Sequence, residues 1–402
     1  DMKCDICSNE NLVKFLKLGL HPPPLNFLTN ENDKEEKFPL EVYFCKSCGL
    51  VQLGNDVDPN IMFKEYLYTS GVSIAFKKHL ESFAKILIKR FKLTPSDLVI
   101  DIASNDGTLL SFFSAQSIQV LGVEPSTTAK IAEENGISTL NEFFDENIAE
   151  RVLEKYGKAK VITATNIFAH VTKLDSFVKG VKKLLTEDGV FVIESQYLLD
   201  VVKKLAYDTI YHEHLRYYGL KQLIQLFNAY QLEIFDAERI DAQGGSFRVF
   251  TAKKGKFKIL NSVNKMLKDE EENKLSSLET FLKFAERIKE NKRKIREILL
   301  KLKSDNKKIV GLSAPARSCT LLNYWEINSE LVDYIVEKST LKIGKFTPGT
   351  HIKVLDDKKL IEEQPDYALL LSWHFGENII NKFRNDGYKG KIIIPLPEPK
   401  IL

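Results

Sequence analysis

Leu98-Val99-Ile100-Asp101-Ile102-Ala103-Ser104-Asn105-Asp106-Gly107-Thr108-Leu109-Leu110 decides the fold of this chain. Its first five residues read as a buried strand, the next five as a tight loop of small and polar residues, and Thr108 as a helix start. One helix later, Val120-Leu121-Gly122-Val123-Glu124 reads as a second strand that ends in an acid. Ligands of such doubly wound sheets lie beyond the C-terminal ends of the strands, and an acid ending the second strand can accept ribose hydroxyls. An adenosine-bearing ligand is therefore expected. The dinucleotide fingerprint G-x-G-x-x-G is absent, and the loop is Asp-x-Ala-x-Asn-x-Gly instead.

Further along the chain, Lys160-Val161-Ile162-Thr163-Ala164 and Gly189-Val190-Phe191-Val192-Ile193-Glu194 read as strands separated by a helix over roughly Leu174 to Leu185. The alternation predicts a parallel sheet. Asn166 and His170 then fall beyond a strand's C-terminal end, on the ligand side. A charged stretch from Lys256 to Lys308 has apolar residues at Leu275, Leu278, Leu282, Ala285, Ile288, Ile295, Leu299 and Leu302, the spacing of an amphipathic helix. Acids and bases are interspersed along it, which fits a solvated helix lying on a neighbouring domain rather than a nucleic-acid arm. Lys308 to Ala314, Val332 to Val336, Ala368 to Leu371 and Lys391 to Ile394 predict a second parallel sheet. Its Ala314-Pro315-Ala316-Arg317 loop precedes a helix and could meet phosphate through backbone N–H groups and the Arg317 guanidinium. Cys319, just beyond, reads as an ordinary packed thiol.

Towards the N-terminus, Cys4-Asp5-Ile6-Cys7 and Cys45-Lys46-Ser47-Cys48 form two C-x2-C pairs. Two such pairs complete a tetrahedral Zn2+ site, and four protein ligands leave no open position, so the expected role is structural. His21-Pro22-Pro23-Pro24-Leu25-Asn26-Phe27 reads as a stiff connector and Phe38 to Leu53 as strands. Glu65 to Ser73 carries Tyr66 and Tyr68, two apart, which an extended backbone would point to one side.

At 402 residues the chain exceeds one hydrophobic core, and 58 basic against 55 acidic residues give a net charge of +3 with no global steering toward nucleic acid. No stretch is long and apolar enough for a membrane span, and Asp1-Met2-Lys3-Cys4 lacks the apolar core of a signal peptide; a cytoplasmic monomer is expected.

Proton-handling groups concentrate in Tyr211-His212-Glu213-His214, which reads as an active site. The zinc-protease signature fails there because position 216 is Arg, not His.

The Asp101 to Gly107 loop resembles the first motif of class I S-adenosylmethionine-dependent methyltransferases. The ordered set of motifs, from the Cys pairs through Tyr66-x-Tyr68-x-Ser70, Asn166 to His170, Tyr211 to His214, Gly244-Gly245-Ser246-Phe247-Arg248, Gly311 to Arg317 and Pro348 to Ile352, resembles the sugar-nucleotide C-methyltransferase family over nearly the whole length. That family methylates dTDP-4-keto-deoxysugars. The resemblance implies an α/β chain with a zinc-binding domain at 1–70, a Rossmann-like methyltransferase domain at 71–255, a helical connector at 256–308 and a second Rossmann-like domain at 309–402 that helps bind the sugar nucleotide. It implies S-adenosylmethionine at Asp101, Ala103, Asn105, Gly107, Glu124 and Asn166, and structural zinc on the four cysteines. His214 is expected as base, Glu213 as its partner or a substrate contact, and Tyr211 with His170 near the ketone oxygen. Tyr66 or Tyr68, Ser246, Arg248 and Arg317 are expected on the substrate side. Ala103 and Gln243 depart from the family pattern, which has glycine and histidine there. The rival readings are an N- or O-methyltransferase acting on a sugar nucleotide and a zinc-ribbon nucleic-acid-binding protein.

Overall fold

The computed structural model describes residues 2–54, 57–63, 73–241 and 245–402; Tyr66, Tyr68, Ser70, Gln243 and Gly244 lie outside them. The N-terminal unit is an antiparallel sheet of β1 (Leu12–His21), β2 (Phe38–Cys45) and β3 (Val51–Leu53). Its fourth strand is Arg216–Tyr217, contributed from the middle of the chain and paired antiparallel to β3. The two cysteine knuckles stand at one end of this sheet.

A helix over Ile74–Arg90, N-capped by the Ser73 side chain accepting from the Phe76 N–H, leads into β4 (Leu98–Ile102). Every residue of β4 is buried, the pattern of a strand covered by helices on both faces. β5 (Gln119–Val123), β6 (Thr139–Leu140), β7 (Ala159–Thr165) and β8 (Leu185–Gln196) extend the sheet in parallel. The expected all-parallel sheet is mixed at one edge. After β9, the Arg216–Tyr217 strand, come β10 (Leu232–Ile240) and β11 (Ser246–Lys253), which pair antiparallel to each other and, through β11, to β8. The connection between β10 and β11 is too short for a crossover helix, so the pair must turn back on itself. The strand order is β10-β11-β8-β7-β4-β5-β6.

The charged connector is two helices, Asn261–Glu272 and Leu278–Ser304. Leu275, Ala285, Ile288, Ile295, Leu299 and Leu302 are buried as the spacing predicts, but Leu282 faces solvent; Phe281 and Phe284 bury in its stead. The C-terminal sheet has β12 (Ile309–Leu312), β13 (Ile335–Glu337), β14 (Val354–Asp356), β15 (Tyr367–Leu370), β16 (Lys391–Ile394) and β17 (Lys400–Ile401). Their order is β14-β13-β12-β15-β16-β17, parallel except for the final β16–β17 pair.

Candidate active site

Beyond the C-terminal ends of β4, β5 and β7 lies a cavity of about 980 Å³, near the upper end for ligand pockets and roomy enough for two ligands side by side. Its walls come from all parts of the chain: the Asp101 to Asn105 loop, Glu124, Asn166, the Tyr211 to His214 segment, Arg317 of the C-terminal domain and Leu25 of the N-terminal connector.

The loop after β4 takes its shape from two left-handed non-glycine residues, Ala103 (φ 58°) and Asn105 (φ 55°), followed by Gly107 (φ 80°) at the helix N-cap. Left-handed backbone suits glycine and strains a residue with a Cβ, which explains why the related pattern has glycine where this chain has Ala103. Glu124 crosses the loop: its Oε1 accepts the Asn105 N–H at 2.9 Å and its Oε2 the Ser126 N–H at 2.7 Å. Asp101 is fully buried, accepts from the Thr163 hydroxyl at 2.8 Å, and is raised to about 7 by burial. Among the described residues, the buried Ser104 and Thr165 hydroxyls lining this part of the cavity have no partner. Buried polar groups are ordinarily satisfied, so these sites fit a polar adenosine-bearing ligand. Asn166, also left-handed at φ 56°, hangs from the Glu194 carbonyl and lines the same region. Gly107 shapes the loop without lining the cavity.

The His214 ring packs 4.2 Å from Tyr211 and 4.9 Å from His170, centroid to centroid. Its Nδ1 lies 2.6 Å from the Thr209 carbonyl oxygen, which can only accept, so Nδ1 carries the hydrogen and Nε2 the lone pair. Burial, with the nearby Arg317 charge, lowers His214 to about 4, so the imidazole is neutral near pH 7. Burial likewise pushes His170 well down and Tyr211 up. Glu213 is raised to about 8 by burial, and its Oε1 is buried without a partner among the described residues. It is therefore a neutral carboxylic acid near pH 7 that can donate a hydrogen bond.

This segment is held from three sides. Leu53 of β3 donates to the Leu215 carbonyl at 2.9 Å, and His212 meets the Pro39 carbonyl at 2.9 Å, so the N-terminal sheet fixes one edge. The short turn Phe168–His170 after β7 fixes a second through Leu215 N–H to Ala169 O, 2.8 Å. From the C-terminal domain, Arg317 donates to both oxygens of the buried Asp208, at 3.0 and 2.8 Å, Trp373 donates to the same carboxylate at 2.8 Å, and Thr320 donates to the Ile210 carbonyl at 2.6 Å.

Ser246 and Arg248 are buried but are not among the residues lining the cavity. The Arg248 guanidinium grips Glu194 and Glu238 instead. The other oxygen of Glu194 meets His79 at 2.8 Å, and His79 does line the cavity. Nothing in the sequence around His79 singles it out; it reaches the site because a helix ahead of β4 lies across the strand end carrying Glu194.

The four cysteine sulfurs lie within 4.8 Å of one another, with Cys4 to Cys48 at 3.5 Å and Cys7 to Cys45 at 3.6 Å. A Zn–S bond of about 2.3 Å in a tetrahedron implies S···S separations of about 3.8 Å, so the thiol set fits zinc.

Residues 4–63 match a zinc binding domain model, residues 76–237 a methyltransferase domain, and residues 241–397 a C-methyltransferase C-terminal domain. C-methyltransferase NovU of Streptomyces niveus is 30% identical over 407 residues, covering 100% of this chain and 96% of that protein. Among solved structures, an S-adenosylmethionine-dependent methyltransferase from Clostridium acetobutylicum ATCC 824 is 15% identical, covering 44% of this chain and 92% of its own, with a TM-score of 0.35. Magnesium protoporphyrin IX methyltransferase from Synechocystis PCC 6803 is 10% identical over 45% of this chain and 81% of its own, with a TM-score of 0.34. With a four-cysteine zinc site, an adenosine-binding sheet and full-length similarity to NovU, the chain belongs to the C-methyltransferase family and is an S-adenosylmethionine-dependent methyltransferase with a structural zinc site.

Proposed function

We propose that the enzyme methylates a carbon next to the ketone of a nucleotide-linked keto-deoxysugar, by way of an enolate. A carbon acceptor must present a carbanion to the methyl group, and a neighbouring ketone provides one once a base removes the adjacent proton. When bound along Asp101 to Asn105, Glu124 and Asn166, S-adenosylmethionine supplies an electrophilic methyl group.

The observation that carries this reading is the His214 tautomer: a neutral imidazole whose Nδ1–H is tied to Thr209 O and whose Nε2 is left to take a proton. In this reading Tyr211 and His170, packed against that ring, lie near the ketone oxygen and donate hydrogen bonds that strengthen as negative charge develops. Glu213, a neutral acid beside them, contacts the substrate as a further donor, and its protonation spares the enolate a like charge. Asp208 and Arg317 hold the segment and cancel each other's charge. The cavity's size, with the cofactor loop on one wall and the C-terminal domain on another, supports an extended second ligand. In this reading the chain divides as expected from the sequence, into a zinc-binding domain at 1–70, a methyltransferase domain at 71–255, a helical connector at 256–308 and an acceptor-side domain at 309–402.

The test is mass spectrometry of candidate keto-sugar nucleotides incubated with enzyme and S-adenosylmethionine. A mass gain of one methyl group on carbon is expected for a keto substrate and none for the same sugar with its ketone reduced. Methylation of the reduced sugar would sink the enolate mechanism.

A further inference from the structure

Arg216 is a buried cation whose counter-ion comes from a distant part of the chain. It follows His214 by two residues, its side chain is 4% exposed, and burying a guanidinium is costly unless it is paired and hydrogen-bonded. Its Nε donates to Asp5 Oδ2 at 2.9 Å, and its Nη1 donates to the Val171 carbonyl. Val171 directly follows His170. On the other side of that histidine, the Ala169 carbonyl accepts the Leu215 N–H at 2.8 Å. Both carbonyls flanking His170 are therefore held by Leu215 and Arg216, the two residues that come next after His214. These links fix the backbone of one histidine against that of the other, and with it the 4.9 Å separation of their ring centroids.

Asp5 belongs to the first cysteine knuckle, Cys4-Asp5-Ile6-Cys7. Its N–H donates to Gln52 Oε1 at 3.0 Å and Gln52 Nε2 donates to the Lys3 carbonyl at 3.2 Å, so a buried glutamine of β3 clasps the knuckle. Gln52 also stands opposite Arg216 where β3 pairs with β9. The second knuckle is gripped from the same region: Gln222, in the helix Leu220–Asn228 that follows β9, donates to the Cys48 carbonyl at 3.0 Å. The fold of each knuckle depends on the metal, because four sulfurs within 4.8 Å of one another are held there by a shared ion. The same ligation thus fixes where the Asp5 carboxylate stands.

We infer that Arg216 and Asp5 are positioning residues for methyl transfer: the zinc knuckle, through Asp5, holds the guanidinium that sets His170 against His214. The metal site thereby acts on the chemistry of the cavity without lining it. The part given to the two histidines rests on the proposed enolate mechanism; the link to the knuckle rests on the hydrogen bonds. Losing the Asp5 charge leaves a buried guanidinium without its counter-ion, which must then turn toward water and release the Val171 carbonyl. Misplacing a reacting group by about 1 Å can cost about 10²-fold in rate, so a slowing of at least about tenfold is expected.

The test uses the full-length protein with its histidines labelled with carbon-13 at Cε1, the His170 and His214 resonances being assigned with His170→Gln and His214→Asn. Asp5→Asn, at a partly exposed position, should keep about one zinc per chain and wild-type affinity for S-adenosylhomocysteine while displacing both resonances. Arg216→Met should displace them further, and removal of zinc by a chelator should displace the same pair. With a sugar nucleotide that the wild type methylates, Asp5→Asn should lower kcat at least about tenfold and leave KM unchanged, a split that general loosening of the fold does not produce. Unmoved His170 and His214 resonances in zinc-loaded Asp5→Asn overturn the inference, as does a wild-type kcat. Resonances displaced by zinc removal but not by Asp5→Asn also overturn it, since the coupling then runs through the β3–β9 pairing alone. Failure of the mechanism itself reads differently. Wild-type methylation by His214→Asn removes the proposed base, whereas displaced resonances in Asp5→Asn leave the link from knuckle to histidines standing.

Discussion

Arg317 of the C-terminal domain and Asp208 of the segment leading to His214 form a two-pronged ion pair, 2.8 and 3.0 Å, with the Asp208 side chain fully buried. The pair joins two domains through the segment that places His214, the proposed base. Removing one partner of a buried pair strands the other charge, at a cost of about 3–5 kcal/mol. Arg317→Met should therefore lower stability to denaturant by about that amount, and adding Asp208→Asn should restore part of it. Equal destabilisation in the single and double variants would show that the ion pair is not the source.

Ala103 occupies a left-handed conformation at φ 58°. Ala103→Gly relieves that strain, at an expected gain of about 0.5–1 kcal/mol, offset in part by glycine's greater freedom when unfolded. Thermal unfolding with and without S-adenosylhomocysteine should show equal or higher stability and undiminished affinity. A clear loss in either would mean that the Ala103 methyl group makes contacts worth more than the strain.

His214→Asn should reduce both methylation and exchange of the substrate's acidic hydrogen with solvent deuterium by at least about 10², the lower end of what a positioned base contributes. Tyr211→Phe should keep substrate affinity and slow turnover, because its phenol matters most once charge has developed. Wild-type rates in His214→Asn would move the base elsewhere, with His170 the next residue to test.

Glu213 is raised to about 8 from an ordinary 4.5, so it is neutral below pH 8 and ionised above. Its contribution to stability is present in full below about pH 4.5 and is lost as pH rises through 8, because the folded state binds the extra proton in that window. The rate should fall over the same alkaline range as a donor becomes a negative charge beside the enolate. Glu213→Gln should flatten both dependences, read from a pH–rate profile between pH 7 and pH 9 and from thermal unfolding between pH 4.5 and pH 8. Unaltered dependences in the variant would assign them to another group, Asp101 being raised to about 7 by burial.

Metal analysis should find about one zinc per chain, held by Cys4, Cys7, Cys45 and Cys48. Cys45→Ser should lose it and lower the unfolding temperature of the N-terminal sheet. Because β3 holds the Leu215 carbonyl, near-ultraviolet circular dichroism from the tyrosines around His214 should change as well. A variant that keeps its zinc, or a metal-free protein with the same unfolding profile, would refute the assignment.

The order of elements around Asp101, the acid at Glu124, the zinc ligands and the density of titratable groups at Tyr211 to His214 were all determined by the sequence alone. Each is a local pattern: hydrophobic period, ligand spacing or loop composition within a few residues. The antiparallel β10–β11 edge was not legible, since pairing direction follows from how the chain returns. Leu282 gave way to Phe281 and Phe284 because the buried face of a helix is chosen by what it packs against. Tertiary structure alone decided which base form His214 takes, through a carbonyl five residues away and the loss of solvent. It also turned Arg248 toward Glu194 and Arg317 toward Asp208 and brought His79, Lys342 and His374 to the cavity. Charges in a buried site choose partners by proximity in space and by the cost of desolvation, and neither can be read from neighbours in the chain.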